Sequence, residues 1–133
     1  EITVAVLDGV PLPVIEILPK NKFYDYEAKY AEGMSSHIVP AEIGRRLCTL
    51  AQELAVKAGN ALGCAGLYRV DMILGARDVL HVLEVNTVPG MTPVSLAPEA
   101  ALAAGIDFGD LVVRIVRAAR GARTACGRKT WNT

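Results

Sequence analysis

Ile2, Val4 and Val6 alternate with the smaller Thr3 and Ala5 over Ile2–Leu7, the period-two pattern of a β-strand. Asp8-Gly9 supplies a turn and Leu12–Leu18 returns as a second apolar run, so a β-hairpin is predicted at the start of the chain. Pro19-Lys20-Asn21-Lys22 breaks it; a polar, aromatic stretch follows over Phe23–Lys29, and the small, polar segment Glu32-Gly33-Met34-Ser35-Ser36 reads as a mobile loop. From Pro40 the period changes. Ile43, Leu47, Leu50, Ala51, Leu54, Ala58 and Leu62 recur on one stripe, with Arg45, Arg46, Gln52, Glu53 and Lys57 mostly opposite, predicting a helix that starts at Pro40 and ends before Gly63. Two further apolar runs, Leu67–Leu74 and Val79–Val85, flank Gly75-Ala76-Arg77-Asp78 and predict a second hairpin. Past the loop Asn86–Pro93, a short helix is expected over Leu96–Ala104. A last one is expected over Asp107–Arg120, burying Leu111, Val112, Ile115, Val116 and Ala119. The elements imply an α+β domain over residues 1–120: an antiparallel sheet of two hairpins, packed on the helix at 40–62 and covered by the last helix. Residues 121–133 carry no period and are expected to form a disordered basic tail.

Composition supports a packed core, because 52% of the 133 residues are hydrophobic. The formal net charge of zero hides an asymmetry: all fourteen acidic side chains lie in residues 1–113, while the last twenty residues hold six of the fourteen basic ones. An acidic body argues against a nucleic-acid partner, which would need basic residues spread over a folded face. Cys48, Cys64 and Cys126 are odd in number and far apart, so neither a disulfide framework nor a zinc site is indicated and a cytoplasmic location fits best. No apolar run approaches the ~20 residues needed to span a bilayer.

The second hairpin concentrates the chemistry. If Leu74 and Val79 close a four-residue turn, Arg69 lies opposite Glu84 and Asp71 opposite Val82, and Arg69, Asp71, Glu84 and Asn86 share one face. Asp71 and Glu84 are then diagonal neighbours, roughly 7–8 Å apart at the backbone, within joint reach of one ion. Slipping the register by one residue would separate them. Two carboxylates among apolar neighbours call for a positive partner. An oxygen-only set of Asp71, Glu84 and Asn86 suits Mg²⁺, and a bridging Glu84 suits a pair of ions. The alternative is a structural Arg69–Glu84 cross-strand ion pair with Asp71 solvated, and the hairpin alone leaves both open.

Four segments carry a resemblance: Phe23-Tyr24-Asp25-Tyr26-Glu27-Ala28-Lys29-Tyr30, Val39-Pro40-Ala41, Arg69-Val70-Asp71 and Glu84-Val85-Asn86-Thr87-Val88-Pro89-Gly90-Met91-Thr92. Their order and spacing resemble the D-alanine–D-alanine ligases, ATP-grasp enzymes of peptidoglycan precursor synthesis, over residues 1 to about 120. The resemblance implies an ATP-grasp carboxy-terminal domain in which Asp71, Glu84 and Asn86 bind two Mg²⁺ ions, with Mn²⁺ as a substitute. It further implies ATP and D-alanine as substrates: one D-alanine carboxylate is phosphorylated and the amine of a second attacks the acyl phosphate. Arg69 and the Gly90 N–H would stabilise the oxyanion, and Ser95 with the Leu96 N–H would hold the second substrate's carboxylate at a helix start. Glu1 would bind the ATP ribose, Lys29 the nucleotide phosphates, and Tyr30 would close over the site.

The resemblance also implies missing parts. Amino-terminal ligase domains, the glycine-rich phosphate loop and the adenine-contacting segment have no counterpart here, and Glu1 rather than Met opens the chain. The fragment alone is therefore not expected to ligate, and a homodimer of the intact protein is compatible with the family. His37 and His81 match no family role, and the tail from Gly121 matches nothing in the family. Two other readings remain at this stage: another ATP-grasp carboxylate–amine ligase, and a truncated, non-catalytic domain.

Overall fold

A computed structural model of the chain describes residues 1–19 and 35–125. The tail residues 126–133 and most of the segment expected to be a mobile loop lie outside the described residues. Strand β1 (Ile2–Leu7) turns through Asp8 and Gly9, at φ 53° and 79°, into the two-residue β2 (Val10–Pro11) and then β3 (Ile15–Pro19). Two left-handed residues in a two-residue loop match the right-handed twist of the flanking strands. The hairpin expected here is present, interrupted between β2 and β3. A strand β4 (Ser35–Ile38) pairs with β3, so Ser35 and Ser36, expected in a loop, lie in the sheet. With β5 (Leu67–Leu74) and β6 (Leu80–Asn86) the antiparallel sheet runs β4-β3-β1-β5-β6, and β2 pairs with β1.

Helix α1 spans Arg45–Ala61. It starts later than Pro40 because Ala41 and Glu42 spend their N–H groups on the first hairpin, donating to the Val14 carbonyl (2.8 Å) and Glu16 Oε2 (3.3 Å). It ends as expected at Gly63, whose φ of 69° closes the last turn with Cys64 N–H donating to Gly59 O (2.9 Å). The buried stripe differs from the expected one: Leu47, Ala51, Ala55 and Gly59 face the sheet, while Leu50 and Leu62 are exposed. Small residues at four-residue spacing let α1 lie close to the strands. At Gly59 the approach is tightest, and a Cβ there would overlap the Tyr68 ring.

The opposite face is covered by α2 (Leu96–Ala103) and α3 (Phe108–Ala125), the latter running past the expected end at Arg120. Central strand β1 is therefore buried along its whole length. Ile2, Val4, Val6, Tyr68, Val70 and Met72 pack towards α1, and Ala5, Leu7, Ile15, Leu67 and Leu111 pack with Ala97, Ala100 and Ala101 of α2. The expected stripe of α3 shrinks accordingly. Leu111 is buried and Ile115 half-buried, but Val112, Val116 and Ala119 are exposed, because α2 takes the central position over the sheet. Among the described residues no helix is long and apolar enough to cross a membrane.

Candidate functional site

The site stands on the face of β1, β5 and β6 that points towards the α2 and α3 side. The register of the second hairpin differs from the expected one. Its turn takes five residues, with Leu74 opposite Leu80 and Gly75 N–H donating to Val79 O (2.8 Å). Alone, that one-residue shift would turn Glu84 to the other face. A bulge next to Met72 and Asp71 adds a second shift, so Asp71 sits directly opposite Glu84 and Arg69 opposite Asn86. The four residues share a face, as expected, but Asp71 rather than Arg69 stands directly opposite Glu84.

Their burial is unequal. Asp71 is 5% exposed, whereas Glu84 is exposed at the sheet edge. The structural alternative, an Arg69–Glu84 ion pair with Asp71 solvated, is not what Arg69 forms. Arg69 forks onto Asp71, two residues away on the same strand, with Nε donating to Oδ1 and Nη2 to Oδ2, both at 2.8 Å. Such a bidentate pair is among the strongest neutralising arrangements available to a carboxylate. From the neighbouring strand the Thr3 hydroxyl, itself buried, donates to Asp71 Oδ1 at 2.5 Å. Burial pushes the Asp71 carboxyl up, but the hydrogen bonds from Arg69 and Thr3 and the guanidinium charge outweigh it and hold the group below the usual carboxylate range. The Asp71 hydrogen bond raises the Arg69 guanidinium, against the effect of burial, and the charges of Asp71, Glu84 and Glu1 add to the rise. Glu1 thus contributes to the same acidic environment, and its carbonyl accepts from Ile17 N–H (2.8 Å).

Asn86 Oδ1 accepts from Val88 N–H at 3.1 Å, folding the chain into the loop that follows β6. The loop delivers Gly90 against Ser95, where a Cβ on Gly90 would stand 2.8 Å from Ser95 Oγ. Glycine is needed there for close approach, since Gly90 is not among the residues with left-handed backbone. Ser95 precedes α2 but its side chain makes no cap hydrogen bond to the helix. Instead its Oγ accepts from Thr92 N–H (3.0 Å) and pairs with Thr92 Oγ1 (2.8 Å). Ser95 thus stands at the N-cap position without capping through its side chain, and the first N–H groups of α2 have no acceptor from it. Leu96 is the first residue of that helix.

Lys29 and Tyr30 lie outside the described residues. His37 belongs to the scaffold, its Nδ1 lying 2.8 Å from Glu99 Oε2 and linking β4 to α2. Neither Thr3 nor Thr92 is marked as a site residue by the sequence pattern. Thr92 lies within the matched motif, but Thr3 meets Asp71 only through the β1–β5 pairing, which no local pattern announces.

As potential ligands, the residues on this face form a hard, oxygen-only set. Among the described residues no three His, Cys, Asp or Glu side chains are grouped to hold a metal; the set here is two carboxylates and an amide. A buried carboxylate paired with Arg69 and standing opposite a second, exposed one is chemically fit for Mg²⁺.

Comparison with known proteins bears on most of the chain. The family model described as D-ala D-ala ligase C-terminus matches residues 1–117. A D-alanine–D-alanine ligase of Gloeobacter violaceus is 52% identical over 117 residues, covering 87% of this chain and 39% of that protein. The chain thus spans about two fifths of the length of the curated relatives it matches. The D-alanine–D-alanine ligase of Bacillus anthracis complexed with ATP superposes with a TM-score of 0.79 at 36% identity, over 95% of this chain and 41% of that one. A D-Ala:D-Ser ligase from Enterococcus faecalis superposes with a TM-score of 0.72 at 32% identity, over 88% of this chain and 35% of the other. The sheet with helices on both faces is accordingly an ATP-grasp α+β fold. With the match running from the strand that carries Thr3 to the middle of α3, the chain belongs to the D-ala D-ala ligase C-terminus family.

Proposed function

We propose that the chain is the carboxy-terminal part of an ATP-dependent, cytoplasmic D-alanine–D-alanine ligase, making the dipeptide for peptidoglycan precursors. The observation that carries this reading is the bulged hairpin, which sets Asp71 opposite Glu84 and Arg69 opposite Asn86 on one face. Asp71, Glu84 and Asn86 would hold Mg²⁺, which supplies charge neutralisation for the phosphates of ATP. One D-alanine carboxylate attacks the γ-phosphorus and ADP leaves; the amine of the second then attacks the acyl carbon and phosphate leaves. Arg69 and the Gly90 N–H donate to the oxygen that gains negative charge, and such a donor is typically worth ~2.7–4 kcal/mol in a transition state. The Ser95 hydroxyl and the Leu96 N–H bind the carboxylate of the second D-alanine, where the positive end of the α2 dipole favours an anion. Glu1 and Lys29 serve the ribose and phosphates of ATP, and Tyr30 covers the second substrate. The amino-terminal ligase domains complete the first-substrate and adenine sites, and the intact protein is a homodimer.

The relationship to a D-Ala:D-Ser ligase makes the second substrate the point to test. ADP release by the intact protein is expected with D-alanine as sole amino acid and Mg²⁺ present, and to be weaker with D-serine added as acceptor. Faster turnover driven by a different amino acid would overturn the substrate assignment.

A further inference from the structure

Thr3 is a buried polar side chain with no part in the reading above. Together with Asp71 it is one of the two buried polar or charged residues among those described, and the two are cross-strand partners. Its Oγ lies 2.5 Å from Asp71 Oδ1 and 3.2 Å from the Val70 carbonyl. The single hydroxyl proton goes to the nearer, charged acceptor. A threonine on a central strand is stiff at χ1, and at 1% exposure Thr3 has no room to choose another rotamer. Arg69, by contrast, reaches Asp71 along the same strand and is 17% exposed in its side chain. Of the two donors to Asp71, the hydroxyl is the fixed one.

We infer that Thr3 is a positioning residue, holding the Asp71 carboxylate in the orientation in which it binds a divalent cation. The inference rests on the proposed metal role of Asp71. Mg²⁺ tolerates little departure from octahedral geometry, so a carboxylate free to turn about its last bond would be a poorer ligand. A hydroxyl behind one oxygen removes that freedom and leaves the charge intact, as outer-shell partners do for other metal ligands.

The test is Mn²⁺ affinity of the intact protein, read from the EPR signal of free Mn²⁺, with the thermal midpoint measured alongside. Thr3→Val keeps the shape and removes the hydroxyl; it should weaken Mn²⁺ binding about tenfold or more, while Thr3→Ser stays within about threefold of wild type, matching the usual cost of losing such a partner. If Thr3→Val does not fold, Thr3→Ala replaces it against Thr3→Ser, since both lose the methyl group and differ by the hydroxyl alone. Wild-type affinity without the hydroxyl would overturn the inference, as would affinity that simply follows the thermal midpoint across the variants. Asp71→Asn separates the two layers. Unchanged Mn²⁺ binding in Asp71→Asn removes the metal role and the inference with it. Lost binding there, with Thr3→Val unaffected, removes Thr3 alone.

Discussion

Asp71 combines burial with a full negative charge, and it accepts three hydrogen bonds from the side chains of Arg69 and Thr3. Its carboxyl is held below the usual range in the folded protein. The stabilisation this brings is complete above the ordinary carboxylate pKa and is lost as pH falls through the lower, folded value. Asp71→Asn should therefore be less stable than wild type by about 1.5–3 kcal/mol at neutral pH, the usual worth of hydrogen bonds to a charged group. The difference should shrink as the pH is lowered below the carboxylate range, in metal-free denaturation curves; a constant difference would argue against the charge as its source. Gly90 tests a different contact. A methyl group at position 90 must displace the Ser95 hydroxyl from Thr92. If Ser95 binds the second D-alanine, Gly90→Ala should raise the KM for that substrate at least about tenfold, the equivalent of one hydrogen bond. The exposed loop should keep its thermal midpoint, and unchanged kinetics would dissociate Ser95 from the substrate.

Among elements, the packing of α1 on β5 shows how far local pattern reaches. The 3.6-residue period locates the helix, but it ranks leucines as buried. The observed contact uses Ala51, Ala55 and Gly59, because the large partner, Tyr68, comes from the strand. Gly59→Ala should destabilise the fold by about 1–3 kcal/mol through overlap with the Tyr68 ring, despite the better helix propensity of alanine. Tyr68→Phe should cost nothing and can add about 1 kcal/mol, since the buried hydroxyl has no hydrogen-bond partner among the described residues. Urea denaturation midpoints of the two variants, moving in opposite directions, would check both. The same limit explains the site. Which residues alternate to which face of β5 is readable from Arg69-Val70-Asp71. Which residue stands opposite depends on turn length and a bulge, and Thr3 meets Asp71 across the separate β1–β5 pairing. Those are properties of pairing between strands and leave no mark on the period of either one.

At the scale of the molecule, two hydrophobic clusters on the two sides of one sheet hold the fold, and the candidate site lies on the α2 and α3 side. The His37–Glu99 contact ties the edge strand β4 to α2, the helix that begins beside Ser95. The chain spans about two fifths of its relatives' length, and the proposal assigns the first substrate to domains beyond it; the 133 residues alone should form no dipeptide from ATP and D-alanine. Dipeptide formation by that chain would show that these residues suffice. The second hairpin also obeys a rule of parity. Twelve residues, 72–83, lie between Asp71 and Glu84, and the turn takes five of them, 75–79, leaving an odd number for two strands to share. Equal sharing is impossible, so one residue must stand out of step, and it falls beside Leu83 on β6. Deleting Leu83 would restore an equal division with Asp71 still facing Glu84. The bulge is thus the arithmetic consequence of an odd turn, and hairpins of different length can carry the same site provided their turn and bulge change together.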